Sequence, residues 1–353
     1  MKRKLQFDFD TQQLVLQKIA AIESFKGTWD LAQKMDKAVL KELRSLATVQ
    51  STGSSTRIEG ATLTDEEIKL LLKNMQVTKL HSRDEQEVAG YYEVLNTVLD
   101  SFAEIPLTEN FIKQLHGMLL RHSAKDQRHR GEYKNLSNQV VATSPGGTQQ
   151  VIFKTTLPHL TPGEMTALLD WTSLQFEEKK IHPLLVVGTF VYEFLSIHPF
   201  QDGNGRLSRL LTTLLLLRNG YDFVKYVSFE NYIEEYKSSY YTALTDGQKN
   251  RGEEAENIEK WTVFFLTGLE AIIHRLNEKR KLYAGISSMV SDRQQRILDL
   301  LSANRAMQVS ELQFHFPDIS LSTLKNELKT MTDKRLIVRV GEGRGVRYFK
   351  PEV

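Results

Sequence analysis

The sequence has 353 residues and no cysteine, so the chain can form no disulfide, which suits a reducing cytoplasm. Neither sign of charge is in excess, because 46 Lys and Arg face 44 Asp and Glu and the formal net charge is +2. The overall charge therefore favours neither a nucleic acid nor a membrane surface as a partner. The sequence also shows no cluster of histidine and cysteine that would hold a transition metal.

Long hydrophobic runs are missing as well. Met1-Lys2-Arg3-Lys4 precedes an alternation of Phe and Asp, which lacks the apolar region of a secretion signal. The most apolar segments are interrupted by Glu193 and Arg209, and neither gives the span of about 20 residues that a bilayer requires. We expect a cytoplasmic protein with no membrane partner. The length and the 41% hydrophobic content suit two or three globular domains.

The most informative segment runs from Ile197 to Arg209 and reads IHPFQDGNGRLSR. The glycines at positions 203 and 205 allow positive φ and let backbone N–H groups converge on an anion at a helix start. A histidine beside a proline, or a Gly-Asn-Gly turn, is ordinary when it stands alone. The segment combines a base, an acid, two glycines and two arginines, and this combination is not ordinary. It predicts a polyphosphate site.

Two helices should position this segment. The apolar run Pro183 to Ile197 predicts a buried helix that delivers His198 to the loop. After the loop, leucines at a helical spacing predict a second buried helix with Arg206 and Arg209 near its exposed first turn. Asp202 stands where a divalent cation bridging phosphates needs an oxygen ligand.

The segment His198 to Arg209 resembles the signature of Fic-domain proteins, His-x-Phe-x-Asp/Glu-Gly-Asn-Gly-Arg-x-x-Arg, with no departure. The resemblance implies a mainly α fold with an all-helical core, ATP as substrate, Mg²⁺, and transfer of AMP to a protein hydroxyl. It makes His198 the general base and Asp202 the Mg²⁺ ligand. The implied ATP contacts are Gly203, Asn204 and Gly205 as the anion hole, Arg206 on the α and β phosphates, and Arg209 on the γ-phosphate.

A second motif, Ser55-Thr56-Arg57-Ile58-Glu59-Gly60, resembles the inhibitory helix of the same family, Ser/Thr-x-x-x-Glu-Gly/Asn. On this reading Glu59 forms a bidentate pair with Arg209 and removes the γ-phosphate clamp. The alternative is that Ser55 is a helix N-cap and Glu59 a solvated residue.

Other segments resemble the family more loosely. Gln139 to Ala142 and Gln150 to Phe153 predict a small β-hairpin, and the resemblance makes residues 139–153 the flap that holds a target protein by strand addition. Tyr241 and Gln248 are candidates for the adenine side of the pocket. The run Arg130 to Lys134 is interpreted as structural support.

The rest of the chain is divided into three parts. Residues 1–108 are expected to be a helical region with the inhibitory motif, 109–283 the Fic catalytic core, and 290–353 a winged helix-turn-helix. The expected N-terminal helices are Gln12 to Ser24, Leu31 to Leu46, Asp65 to Met75 and Asp84 to Phe102.

The C-terminal part shows three helices followed by two strands, and its residues 320–350 are locally basic. The third helix offers Thr323, Lys325 and Asn326 to a DNA groove, and Arg344 would touch phosphate. A protein-docking or dimerisation module is equally compatible.

The expected function is a self-inhibited adenylyltransferase acting on Ser, Thr or Tyr of a target protein or of itself. The alternatives are a de-AMPylating enzyme, in which the inhibitory glutamate positions a water, and a nucleotide-sensing DNA-binding regulator. A homodimer is expected by resemblance only.

Overall fold

A computed structural model describes residues 2–32, 37–75, 79–123, 125, 127–143, 149–288, 291–303, 306–334 and 336–350. The expected mainly α fold class is confirmed. The helices are α1 (Phe9–Ala32), α2 (Lys37–Ile58), α3 (Asp65–Asn74), α4 (Arg83–Ser101), α5 (Glu109–Leu119), α6 (Thr161–Glu178), α7 (Pro183–Ile197), α8 (Asn204–Arg218), α9 (Phe229–Glu235), α10 (Lys237–Gln248), α11 (Glu259–Ser288), α12 (Asp292–Ala303), α13 (Val309–Phe314) and α14 (Leu321–Asp333). The strands are β1 (Gln139–Thr143), β2 (Gln149–Lys154), β3 (Met307–Gln308), β4 (Val338–Val340) and β5 (Arg347–Phe349).

The chain forms two compact units, Met1–Leu276 and Asn277–Val353. In the first unit, α8 packs against α7, α4 and α2, and α2 also packs against α9. No helix among the described residues is long and apolar enough to cross a membrane. The domain boundaries expected from the sequence stay a prediction.

The central helix α7 forms as expected from its sequence. Pro183 occupies its first turn, where a missing N–H costs no hydrogen bond, and His182 accepts a bond from the Leu184 N–H at 3.3 Å. The helix is buried along almost its whole length and ends at His198. Gly203, with φ 79°, then begins α8, which is also buried on most sides.

The predicted helix from Leu31 to Leu46 is wrong in its bounds, because α1 continues to Ala32 and α2 runs from Lys37 to Ile58. Serine, threonine and glycine in the last turns of α2 have weak helix propensity. They remain helical because they are buried against neighbouring helices, and the hydroxyls of Thr52 and Thr56 are satisfied by the carbonyls four residues back. Ser55 therefore lies inside a helix and is not an N-cap.

The predicted hairpin is present as β1 and β2, which pair antiparallel with Gln139 opposite Lys154. An irregularity shifts the register between Val140 and Val141. Residues 144–148 of the expected connection, and the side chains of residues 139–152, lie outside the described part of the chain.

The second unit has its own apolar core, built from α12, α13, α14 and a three-stranded antiparallel sheet in the order β3-β5-β4. The three expected helices and two expected strands are present with shifted ends. The sequence analysis did not predict β3, because a two-residue strand carries no alternation. Ser320 caps α14 by accepting the Thr323 N–H at 3.2 Å.

Candidate functional site

The loop between α7 and α8 is braced by its own side chains. The Asn204 amide accepts the Phe200 N–H at 2.8 Å and donates to the Phe200 carbonyl at 2.7 Å. Phe200 is buried and stacks on His116 at 3.8 Å between ring centroids. Nδ1 of His116 accepts the Gly131 N–H, so its Nε2 carries the proton and donates to the Asp202 carbonyl at 3.0 Å. The loop is therefore preorganised, and the Asn204 side chain helps to hold it through both of its bonds to Phe200.

His198 closes α7 in the left-handed conformation, with φ 53° and ψ 60°. Its Nδ1 lies 3.3 Å from the Leu195 carbonyl, which fixes the proton on Nδ1 and leaves Nε2 as an acceptor. Burial lowers the pKa of His198 to about 4, although the Leu195 carbonyl raises it. The ring is therefore neutral near pH 7, the state that a general base requires.

Arg209 is buried on α8, and its guanidinium donates three hydrogen bonds to Ser55, in the last turn of α2, and to Glu59, just after it. Its Nε donates to Ser55 Oγ at 2.8 Å, and its Nη2 donates to the Ser55 carbonyl at 2.9 Å and to Glu59 Oε1 at 2.8 Å. The expected contact between Glu59 and Arg209 is thus a single bond from Nη2 rather than a bidentate pair, and Ser55 accepts the Nε proton and the second Nη2 proton. Burial would raise the pKa of Glu59, but the Arg209 charge holds it below its ordinary value.

The Glu59 carboxylate lies against the first turn of α8. A Cβ placed on Gly205 would stand 2.1 Å from Glu59 Oε1, so only glycine leaves room for the carboxylate there. The first N–H groups of a helix have no partner within the helix and favour negative charge. Glu59 therefore puts a carboxylate at the helix end where the sequence predicted phosphate.

Arg206 is 2% exposed and lies between two carboxylates, Glu87 Oε2 at 3.3 Å and Asp202 Oδ1 at 3.2 Å. Its Nε and Nη1 are buried and make no hydrogen bond, but Nη1 is the nitrogen that faces Glu87 Oε2, so Nε is the donor left for a further anion. Burial would raise the pKa of Asp202, but Arg206, the Gly203 N–H and Lys125 hold it below the ordinary value. Asp202 is thus an ionised carboxylate beside the arginine.

Of the two adenine-side candidates, Tyr241 lies near Glu59, whereas Gln248 is bonded inside the core. Burial, aided by the Glu59 charge, raises the pKa of Tyr241 to about 12, so its hydroxyl stays protonated. Tyr241 is thus close enough to interact electrostatically with Glu59 and Arg209. Gln248 is buried and donates from Nε2 to Ser196 Oγ at 3.0 Å, so its amide is engaged inside the core. Tyr240, which the sequence analysis passed over, is buried and interacts with Arg209.

Glu87 and Lys134 are further residues that the sequence analysis did not place at the site. Glu87 stands on α4, far from the signature, and no motif marks it. Lys134 belongs to the run that was interpreted as structural support, and it contacts both sides of His198.

In the second unit, Lys325 and Asn326 are exposed on α14, and Thr323 is half-buried near its start. The side chain of Arg344 lies outside the described residues. Phe314, at the end of α13, is 85% exposed.

Residues 106–216 match the Fic/DOC family. The sequence is 27% identical over 216 residues to a protein adenylyltransferase Fic of Drosophila willistoni, covering 60% of this chain and 40% of that protein. It is 30% identical over 192 residues to the corresponding protein of Drosophila grimshawi, covering 52% of this chain and 36% of that protein. The match therefore spans two fifths or less of these relatives.

Two solved structures are similar. A Fic family protein from Desulfovibrio desulfuricans matches with a TM-score of 0.67 and 21% identity over 99% of this chain and 98% of that chain. A Fic domain containing signaling protein from Bacteroides thetaiotaomicron matches with a TM-score of 0.59 and 25% identity over 75% of this chain and 97% of that chain. The first supports the fold alone.

Proposed function

We propose that this chain, which carries a domain of the Fic/DOC family, is a self-inhibited protein adenylyltransferase that moves AMP from ATP to a Ser, Thr or Tyr hydroxyl of a target protein or of itself. The observation that carries the proposal is the Glu59 carboxylate, bonded to Arg209 at 2.8 Å and seated against Gly205 at the start of α8. A carboxylate held there competes with a phosphate for the same helix end and the same guanidinium.

The proposed reaction assigns one proton transfer and one bond exchange. Nε2 of His198 takes the proton of the target hydroxyl, and the hydroxyl oxygen attacks the α-phosphorus of ATP. The bond from the α-phosphorus to the bridging oxygen breaks, and pyrophosphate leaves with that electron pair. Arg206 and the first N–H groups of α8 hold the phosphates, since these donors favour the charge that builds on the phosphate oxygens.

The site fits Mg²⁺ through Asp202, because an ionised carboxylate oxygen is a ligand that this ion prefers. Among the described residues no group of three or more His, Asp or Glu could hold a metal by itself. We therefore propose that Asp202 would hold the ion together with ATP phosphate oxygens. Bound in this way, Mg²⁺ would neutralise part of the charge on the leaving pyrophosphate.

The partners follow from the same proposal. The hairpin of β1 and β2 would hold an extended target segment by strand addition, so that backbone bonds place the modified hydroxyl. A homodimer stays an expectation from the resemblance, and a cytoplasmic location stays an expectation from the sequence.

Transfer of label from α-labelled ATP, with Mg²⁺ present, tests the proposal on the protein itself and on a cell lysate. We expect Glu59→Gly to incorporate more label than the wild type, because Arg209 is released, and Glu59→Gly with His198→Ala to incorporate none. Glu104→Gly, in an exposed turn after α4, is the matched control and should behave as wild type. Equal labelling of wild type and Glu59→Gly would contradict self-inhibition. No label in any variant would contradict AMP transfer.

DNA binding by the second unit is a second candidate activity. The observation that favours it is the exposed face of α14, where Lys325, Asn326 and Lys329 share one surface. We expect duplex DNA to bind with an affinity that falls as salt rises, and Lys325→Ala to reduce both the affinity and the salt slope. Affinity that does not depend on salt or on Lys325 would contradict DNA binding by this face.

A further inference from the structure

His198 has a backbone conformation that costs free energy. A non-glycine residue at φ 53° and ψ 60° is in the left-handed region, which L-residues with a Cβ rarely occupy. Such a conformation persists only where the surrounding structure holds the chain on both sides. The groups that hold the peptides before and after His198 therefore decide where its ring points.

A single residue holds the carbonyls of the two residues that flank His198. The Lys134 N–H donates to the Pro199 carbonyl at 2.8 Å, and Nζ of Lys134 donates to the Ile197 carbonyl at 2.9 Å. Lys134 is only 4% exposed, so these bonds are shielded from water. His198 is thus enclosed between two carbonyls that Lys134 fixes.

The same ammonium group reaches the base of the hairpin. Nζ of Lys134 donates to Asn138 Oδ1 at 2.9 Å, directly before β1, and to Thr155 Oγ1 at 2.9 Å, directly after β2. Asn138 in turn donates from Nδ2 to the Phe200 carbonyl at 2.9 Å. All three ammonium protons are used, and they join the catalytic loop to both ends of the hairpin.

We propose that Lys134 is a positioning residue for AMP transfer, which ties the peptides on both sides of His198 to the base of the β1–β2 hairpin so that the base and the target strand keep one fixed geometry. This inference rests on the proposed function, in which His198 takes the hydroxyl proton. A neutral side chain of the same length could fill the space but could not hold the two elements together.

The charge of Lys134 has a second effect on His198. Among the charged groups that face the ring, Lys134 favours the neutral imidazole, whereas Glu59 and Asp202 favour the protonated one. Burial is the largest cause of the low pKa of His198, and the lysine charge adds to it. Loss of that charge should therefore raise the pKa of His198 from about 4.

The experiment compares Lys134→Met and Lys134→Arg in the Glu59→Gly protein. For Lys134→Met we expect kcat to fall about 10- to 100-fold, as for other misplaced reacting groups, with KM for ATP changed less than about twofold. In the same variant without nucleotide, the midpoint of the His198 ring titration, followed by NMR, should move to higher pH. For Lys134→Arg we expect a low kcat with the titration unmoved, since the charge stays while the three-way geometry is lost. Lys225→Met, which removes another partly buried lysine, at an ion pair with Asp222 in the segment after α8, is the matched control.

The NMR titration separates this inference from the proposed function, because it needs no transfer activity. If Glu59→Gly transfers no AMP, a titration that moves in Lys134→Met still supports the placement of Lys134 beside His198. If Lys134→Met does not fold, Thr155→Val is used in its place. For Thr155→Val we expect a lower kcat and an unchanged titration of His198, because the bond to Lys134 is lost while the lysine charge stays. Wild-type kcat in Lys134→Arg and Thr155→Val, or a lowered kcat in Lys134→Met with an unmoved titration, would overturn the inference.

Discussion

Glu59 and Arg209, 150 positions apart in the sequence, share a hydrogen bond of 2.8 Å between Oε1 and Nη2. Ser55, which lies on α2 one turn before Glu59, accepts two further bonds of the guanidinium through its hydroxyl and its carbonyl. The contact therefore depends on the whole last turn of α2 and not on the carboxylate alone. Any change that moves this turn should also release Arg209.

Arg57 anchors that turn to α9. It donates from Nε to Glu234 Oε1 at 2.6 Å and from Nη2 to Glu234 Oε2 at 3.0 Å, which is a bidentate pair. We expect Arg57→Ala to raise AMP transfer about two- to fivefold, less than Glu59→Gly, because a partly exposed pair is worth up to about 1 kcal/mol. Labelling from α-labelled ATP measures the change.

A double-mutant cycle controls this prediction. Glu234→Gln should raise transfer to a similar extent, and the two substitutions together should add little. Fully additive effects, or no effect of Arg57→Ala, would mean that the Arg57–Glu234 pair does not hold the inhibitory turn.

The effect of Gly205→Ala on the melting temperature should depend on residue 59. In the wild type the new Cβ would stand 2.1 Å from Glu59 Oε1, so the carboxylate must leave Arg209 and the melting temperature should fall. In the Glu59→Gly protein that atom is gone, the released Arg209 side chain can give way from its 3.3 Å approach, and alanine in a helix is favoured over glycine by about 1 kcal/mol. We expect Gly205→Ala to be neutral or stabilising there. Thermal unfolding of the four proteins checks this, and an equal loss in both backgrounds would contradict the contact.

The helices α7 and α8 could be predicted from the sequence because their apolar residues follow a helical period and glycine or proline marks their ends. The end of α2 could not, since Ser51 to Ser55 have weak intrinsic helix propensity and are kept helical by burial. The contacts of Lys134 and Glu87 with the signature loop were missed for another reason. Their partners are distant in the sequence, and neither residue stands in a pattern that local spacing can reveal.

The low pKa of His198 predicts how transfer depends on pH. Because burial lowers this pKa to about 4, the acid limb of kcat/KM in the Glu59→Gly protein should lie below the ordinary histidine value of about 6.5. The low pKa should also make the free energy of unfolding depend on pH. Between these two values the unfolded chain binds a proton that the native chain does not, so stability falls as the pH falls through that window.

Two measurements check this dependence. The pH profile of transfer should show its acid limb well below 6.5, and denaturant unfolding should lose less stability between the two pH values in His198→Ala than in the parent protein. An acid limb at or above the ordinary histidine value would contradict the buried, neutral imidazole.

Glu87→Gln should make the protein less stable alone but more responsive to nucleotide. Glu87 neutralises the buried Arg206, and removal of one partner of a buried ion pair costs about 3 kcal/mol. ATP phosphates would supply the missing negative charge, because Nε of Arg206 makes no hydrogen bond and Nη1 would lose the charge of Glu87 that it faces. In the Glu59→Gly protein we therefore expect a lower melting temperature without nucleotide and a larger rise with ATP and Mg²⁺ than in the parent. Glu93→Gln, at a partly exposed pair on the same helix, is the control and should change neither value strongly. A smaller rise with ATP in Glu87→Gln would mean that Glu87 orients Arg206 for phosphate instead of competing with it.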